Sequence, residues 1–364
     1  MLAGAQLPAS ENLTQVMPAV LTAIGEPHES TLSFPQASRA CVVMVDGLGF
    51  HNLDVRRGHA PTLRALGIDR AITTVVPSTT AAGISSFGTG RWPGQTAMGG
   101  YALRVPGSAE VFNLIAWNSP ALSPESWQTQ PTFFETSTRD LVKIQPRKFV
   151  GSGLTRAGLR GARTVVAERL EARVDATLAE LRAGADLAYL YWGDIDSTGH
   201  HSGWESEAWI AQLEHFDAEL GRLCRMLPSD TLLVVTADHG MVDVAERIDI
   251  ADNQLLTRGI DVVAGESRAV HLYTDAAATV ATRWREVLGD QAWVLTRDEA
   301  VEAGVFGSMT PHAHEVFGDV LAFAKGQTVI VDSRYQSADA IGLIGVHGSL
   351  TAEEMMIPLI VDLA

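Results

Sequence analysis

This 364-residue chain has little positive charge, cysteine or unbroken apolar sequence, and each scarcity closes a class of function. Its 27 Lys and Arg are outnumbered by 43 Asp and Glu, for a formal net charge of −16. So acidic a chain lacks the basic face that a binder of duplex nucleic acid needs, and no such binding is expected. An anionic substrate stays open, because a bound dication reverses the local sign. Cys41 and Cys224 are too few for a disulfide framework or a Cys-rich zinc site, and both read as buried thiols. No apolar run approaches the ~18 residues of a membrane span. Residues 1–12 have neither a basic start nor a long apolar core, so no secretory signal is expected, and a cytoplasmic location is the default.

The chain has 46% hydrophobic residues and 33 glycines, which suits a folded α/β protein with many turns. Its length fits one large domain, or one domain carrying an inserted lobe. Residues 1–38 read as a leader with helical spacing over 13–24. Residues 40–45 are a continuous apolar run, the pattern of a buried parallel strand, and end at Asp46-Gly47. The β-rich stretch 71–76 leads into Pro77-Ser78-Thr79-Thr80 and a small-residue helix ending at Gly90. Residues 96–160 are expected to be loops with one or two helices. Trp92, Trp117 and Trp127 are candidates to line a cleft there, although aromatics are more often core.

A helix is expected over 164–181 and a strand over 186–192, followed by Asp194, Asp196, His200 and His201. A helix over 206–226 precedes a strand over 231–236 that ends at Asp238-His239. Residues 250–330 change character, with three short strands and a helix. They are expected to form a smaller α+β lobe inserted into a catalytic domain made of 1–249 and 331–364. His271, His312 and His314 of that lobe read as structural or surface residues. The chain returns through 341–346 to His347 and closes with a strand over 355–361.

Ligands in open α/β sheets bind beyond the carboxyl ends of the strands. Asp46, Thr80, Asp196, His200, Asp238, His239 and His347 all stand at such ends and can converge on one edge. Six of them are three carboxylates and three imidazoles, about what two zinc ions need at three protein ligands each. Two metals clamp the oxygens of an in-line phosphoryl displacement. A threonine hydroxyl becomes a nucleophile near neutral pH when a metal lowers its pKa. A hydroxyl before a helix is ordinarily an N-cap, so the acidic and histidine clusters carry the argument.

Asp46-Gly, Pro-Ser-Thr-Thr80, Asp196-Ser-Thr-Gly-His200, Thr-Ala-Asp238-His239-Gly-Met and Val-His347-Gly resemble the alkaline phosphatase superfamily. Within it they resemble the nucleotide pyrophosphatase/phosphodiesterase branch, the type I phosphodiesterases. The motifs come in that family's order and span 40–360. The resemblance implies a three-layer α/β/α sandwich with a mostly parallel central sheet and a small inserted lobe. It implies a small phosphodiester or nucleotide substrate and two zinc ions, with manganese or iron as substitutes. Asp46, Thr80, Asp238 and His239 would surround one ion; Asp196, His200 and His347 would hold the other. Thr80, three residues after Pro77, would attack phosphorus and pass through a phosphothreonine. The family's asparagine donor to a phosphoryl oxygen is missing at its usual place. Tyr101 stands there, with Asn113 or Asn118 as substitutes, and the substrate preference is open for that reason.

Two competing readings follow. A phosphomonoesterase or phosphonate hydrolase shares the same metal core. A non-catalytic metal-binding scaffold would be marked by a lost ligand or nucleophile, and none of the seven positions is lost.

Overall fold

The computed structural model describes residues 2–364. Its centre is a seven-stranded sheet, in the order Ala71–Thr73, Met356–Leu363, Thr231–Thr236, Arg39–Val45, Leu187–Trp192, Leu141–Gln145, Arg163–Val166. Six strands run the same way; only Met356–Leu363 is antiparallel to both of its neighbours. The central strands are buried along nearly their whole length, which explains their unbroken apolar sequence.

Helices cover both faces, giving three layers. On one face lie Leu170–Ala183 and Glu207–Met226, which pack on each other, and Pro61–Leu66. Glu207–Met226 starts at Ser206, whose side chain accepts from the Trp209 N–H, and buries Trp209, Leu213, Phe216, Leu220 and Leu223 along one stripe. On the other face, Thr80–Thr89 packs against Gly153–Gly158 and Val16–Ala23.

Beyond this sheet, Val262–Glu266, Ala269–Tyr273, Val320–Ala324 and Ala292–Thr296 form an antiparallel sheet in that order, backed by Ala277–Leu288. A parallel pair, Glu246–Asp249 with Thr328–Val331, stands where the chain leaves for this second sheet and returns. At the seam, Arg268 forms a fully buried ion pair with Glu354, Nη2 to Oε2 at 2.6 Å. Glu354 also accepts from Arg268 Nε at 3.0 Å, the Ser349 N–H at 3.0 Å and the Thr351 hydroxyl at 2.6 Å.

Three sequence expectations need correction. Leu141–Gln145 is a strand of the main sheet, not loop. Lys143 and Gln145 interrupt its apolar pattern, yet both are buried, and the Lys143 ammonium is tied to the Leu159 carbonyl. Arg163–Val166 is an edge strand and not the start of a helix; the helix begins at Leu170. β-branched Thr164, Val165 and Val166 continue the period of the helix behind them, and pairing with Leu141–Gln145 overrides that period. Finally, His347 does not end a strand of the main sheet. It follows Gly345–Val346, which pairs only with Val242–Asp243.

Candidate active site

Each ligand-type side chain is aimed by the element that carries it. Asp46 follows Arg39–Val45, and Asp238 and His239 follow Thr231–Thr236, at the carboxyl ends of adjacent strands. Asp196 and His200 are one turn apart on the helix Asp194–Ser202, so they share a face. His347 reaches in from its loop. Thr80 is the first residue of Thr80–Thr89. Thr79, at the N-cap position, makes no side-chain capping bond. The first N–H groups of that helix therefore stay available beside Thr80, where the positive end of the helix dipole welcomes an oxyanion.

The seven residues come together. Thr80 Oγ1 is 3.2 Å from His239 Nε2, which is also 3.2 Å from Asp46 Oδ1 and 3.6 Å from Asp238 Oδ2. His200 Nε2 lies 3.3 Å from Asp196 Oδ2, and His347 Nε2 lies 3.7 Å from Asp196 Oδ1. Two sets have ligand atoms within 4.8 Å of one another: Asp196, His200 and His347, and Asp46, Asp196 and His239. Two glycines permit this approach. A Cβ on Gly47 (φ +72) would stand 2.9 Å from the Asp196 Cβ, and one on Gly83 2.9 Å from the Asp238 Cβ.

The donor set fits divalent metal ions. Asp46 Oδ1, Asp196 Oδ1 and Asp238 Oδ2 are enclosed and lack any hydrogen-bond partner among the described residues. A buried carboxylate oxygen left this way costs at least ~1–3 kcal/mol, which a bound cation would offset. All three imidazoles are held through Nδ1 by a backbone carbonyl: His200 by Gly345 at 2.7 Å, His239 by Gly240 at 3.0 Å, His347 by Ser78 at 3.0 Å. Each therefore presents Nε2 to the centre, the arrangement that orients ligating histidines.

The electrostatics of the cluster point the same way. Burial and the facing Asp46 push the Asp238 carboxyl well above its usual range. Burial would also raise Asp196, but His200 and His347 outweigh it and hold it low. Burial disfavours a charged His239, yet Asp238 and Asp46 raise it to about 10; Asp196 likewise raises His200 to about 9. Burial and the neighbouring His239 drive His347 well below its usual value. Carboxylates this close share protons when no cation separates them.

Thr80, Asp46, Asp196, His200 and His347 open onto a cleft of about 530 Å³. Tyr101 lines it and is 49% exposed. Asn113 does not line it; its Oδ1 accepts from the Ile115 and Ala116 N–H groups, both at 2.7 Å. Trp127 is core, and neither Trp92 nor Trp117 lines the cleft. His271 is buried in the second sheet and accepts from the Gly318 N–H at 3.0 Å. Sequence reasoning missed Tyr191, whose hydroxyl donates to Asp46 Oδ2 and orients it. It also missed Glu266, which faces Thr79 and whose enclosed Oε1 has no partner among the described residues; burial pushes its carboxyl up to about 7. Tyr191 had a signal, one residue before the end of a strand that leads into Asp196. Glu266 had none.

The family model for type I phosphodiesterase / nucleotide pyrophosphatase matches residues 40–350. The chain belongs to this family. Groups of the ligand types that a metal ion needs are present in it. Solved structures agree on an alkaline phosphatase-like fold. Murine ectonucleotide pyrophosphatase / phosphodiesterase 5 is 17% identical, with a TM-score of 0.69 over 88% of this chain and 87% of that one. Phosphonoacetate hydrolase from Sinorhizobium meliloti 1021, in complex with phosphonoformate, is 19% identical, with a TM-score of 0.69 over 90% of this chain and 91% of that one. Among curated proteins, the phosphopentomutase of Shewanella baltica is 40% identical over 77 residues, 21% of this chain and 19% of that protein. That of Shewanella oneidensis is 30% identical over 124 residues, 33% of this chain and 31% of that protein. The chain thus spans a third or less of the length of these curated relatives.

No helix among the described residues is long and apolar enough to cross a membrane.

Proposed function

We propose that this enzyme hydrolyses small phosphodiesters or nucleotide pyrophosphates through Thr80, with two zinc ions at the sheet edge. The observation that carries the reading is the set of three unpartnered carboxylate oxygens facing three Nε2 atoms beside Thr80 Oγ1. Asp46, Asp238, His239 and Thr80 would hold one ion, and Asp196, His200 and His347 the other. Bound there, the ions supply Lewis acidity and lower the pKa of a coordinated hydroxyl. Thr80 Oγ1 attacks phosphorus and forms an O–P bond, the ester oxygen opposite departs, and water later cleaves the phosphothreonine. The free N–H groups at the start of Thr80–Thr89 receive the phosphoryl oxygens. Tyr191 keeps Asp46 in place, and Tyr101 stands at the cleft as a hydrogen-bond donor to the substrate. An inactive threonine-to-alanine form of murine ectonucleotide pyrophosphatase / phosphodiesterase 5 in complex with AMP agrees with a nucleophilic threonine in this fold.

The test is the rate of the zinc-loaded enzyme on bis-p-nitrophenyl phosphate against p-nitrophenyl phosphate. A diester preference supports the reading. A monoester preference moves the enzyme to the phosphatases.

The likeness in fold to phosphonoacetate hydrolase supports one alternative, a phosphonate hydrolase on the same metal core. Phosphate release from phosphonoacetate exceeding either ester rate would select it.

A further inference from the structure

Two buried polar atoms in the cleft wall have no hydrogen-bond partner among the described residues. Gln145 ends the strand Leu141–Gln145 and is 2% exposed; its amide Nε2 is enclosed without a partner. Tyr189, on the adjacent parallel strand, is fully buried, and its hydroxyl is likewise alone. Lys143 lies opposite Tyr189, so by alternation Gln145 and Tyr189 stand on one face of the sheet. Both line the cleft that holds Thr80. Buried polar groups are nearly always paired, so two orphans beside one cleft ask for a ligand.

Two neighbouring polar groups are already engaged. The Tyr191 hydroxyl is committed to Asp46. Arg173 donates through Nε, Nη1 and Nη2 to the carbonyls of Ala167, Tyr191 and Glu168. Ile84, Leu154, Leu159 and Phe149 add apolar surface to this wall, beside Lys148 and the mutually bonded hydroxyls of Ser152 and Thr155. An apolar pocket with a few convergent polar groups is the usual form of a small-molecule site.

We propose that Gln145 and Tyr189 form the subsite for the organic group of the substrate. They bind a carbonyl-type acceptor at its far end, while Ile84, Leu154 and Leu159 enclose its apolar body. The inference rests on the phosphodiesterase reading and narrows its substrate class to esters whose organic group ends in such an acceptor. Both residues act on specificity, and neither touches the reacting phosphorus.

The experiment compares kcat/KM for bis(4-carbamoylphenyl) phosphate and bis(4-ethylphenyl) phosphate in the zinc-loaded wild type, Tyr189→Phe and Gln145→Met. The esters are symmetric, so either arm can fill the subsite, and the ratio of each variant to wild type cancels their different leaving groups. In each variant the carbamoyl-to-ethyl ratio is expected to fall roughly tenfold, mostly through KM. Tyr189→Phe removes only an unpaired hydroxyl, so its Tm is expected to hold or rise. A ratio unchanged in both variants, whether the two rates fall together or the Tm alone drops, overturns the proposal. If the wild type cleaves neither ester, the phosphodiesterase reading fails separately. Calorimetry with 4-carbamoylphenylphosphonate and 4-ethylphenylphosphonate then decides the subsite. Tighter binding of the carbamoyl compound that is lost in Tyr189→Phe upholds it, and equal binding of the two overturns it.

Discussion

At the carboxyl edge of the main sheet, Asp46, Asp196 and Asp238 each leave one oxygen without a partner; at the seam with the second sheet, Glu354 leaves none. Both regions bury charge almost completely. At the seam, Arg268 answers Glu354 with two nitrogens, and its Nη1 is taken by the Thr328 carbonyl. At the edge, three carboxylates crowd together with imidazoles that all offer Nε2 inward. The seam is complete as folded and reads as structure. The edge is incomplete as folded and asks for cations and a substrate. Completeness of hydrogen bonding, more than burial or charge, separates an architectural ion pair from a reactive one.

The comparison breaks first at Thr80. Thr80→Ala is expected to lower diester turnover by at least roughly 10³-fold, with zinc content by elemental analysis little changed. Retained activity in that variant would remove Thr80 from the chemistry. Next, His347→Ala is expected to lose one ion per chain and about 10²-fold or more in rate. Unchanged zinc stoichiometry and rate would leave His347 a structural histidine. Chelation is expected to inactivate the enzyme and to lower its Tm, because ions bound to the folded state stabilise it by about 4 kcal/mol at a thousandfold excess over Kd. An unchanged Tm on chelation would mean that the edge is complete without metal.

At the seam the expected losses fall on folding. Glu354→Gln leaves Arg268 buried and unpaired and should cost about 3–5 kcal/mol in denaturant unfolding. Arg268→Met combined with Glu354→Leu should recover most of it. A double variant as unstable as the single one would show that the pair does more than neutralise itself.

The smallest effect concerns pH. Burial lowers the His271 pKa to about 3 from an unfolded value near 6.5. The folded chain keeps this ring neutral while the unfolded chain protonates it, so its contribution is intact above pH ~6.5 and is lost as pH falls toward 3. Wild type should lose about 2 kcal/mol from this group between pH 7 and 5, and His271→Leu should show a flatter profile there. Parallel profiles would place the acid sensitivity elsewhere.

The site was more legible than the frame around it. Asp46, Asp238 and His239 follow apolar runs whose ends are visible in one dimension, and the four-residue step from Asp196 to His200 is a helical turn. His347 was found by its residue type and neighbours, although the strand assumed before it is only a two-residue ladder in another sheet. The strand Leu141–Gln145 was hidden because Lys143 and Gln145 look like surface residues. They are tolerated because a carbonyl and a cleft receive them, and both lie far from them in sequence or outside the chain.

Ligand chemistry and its order along the chain are local properties, and the sequence by itself determined them: three Asp, three His and one Thr, placed after strand-like runs. Only the tertiary structure decided which atoms of those residues are spent and which are free. Tyr191 holds one oxygen of Asp46, backbone carbonyls occupy three Nδ1 atoms, and the Gln145 amide nitrogen and the Tyr189 hydroxyl remain unpaired in the cleft wall. Such pairings join residues up to 269 apart, as between Ser78 and His347. Apart from the adjacent His239 and Gly240, no short window of sequence contains both partners, so packing selects them.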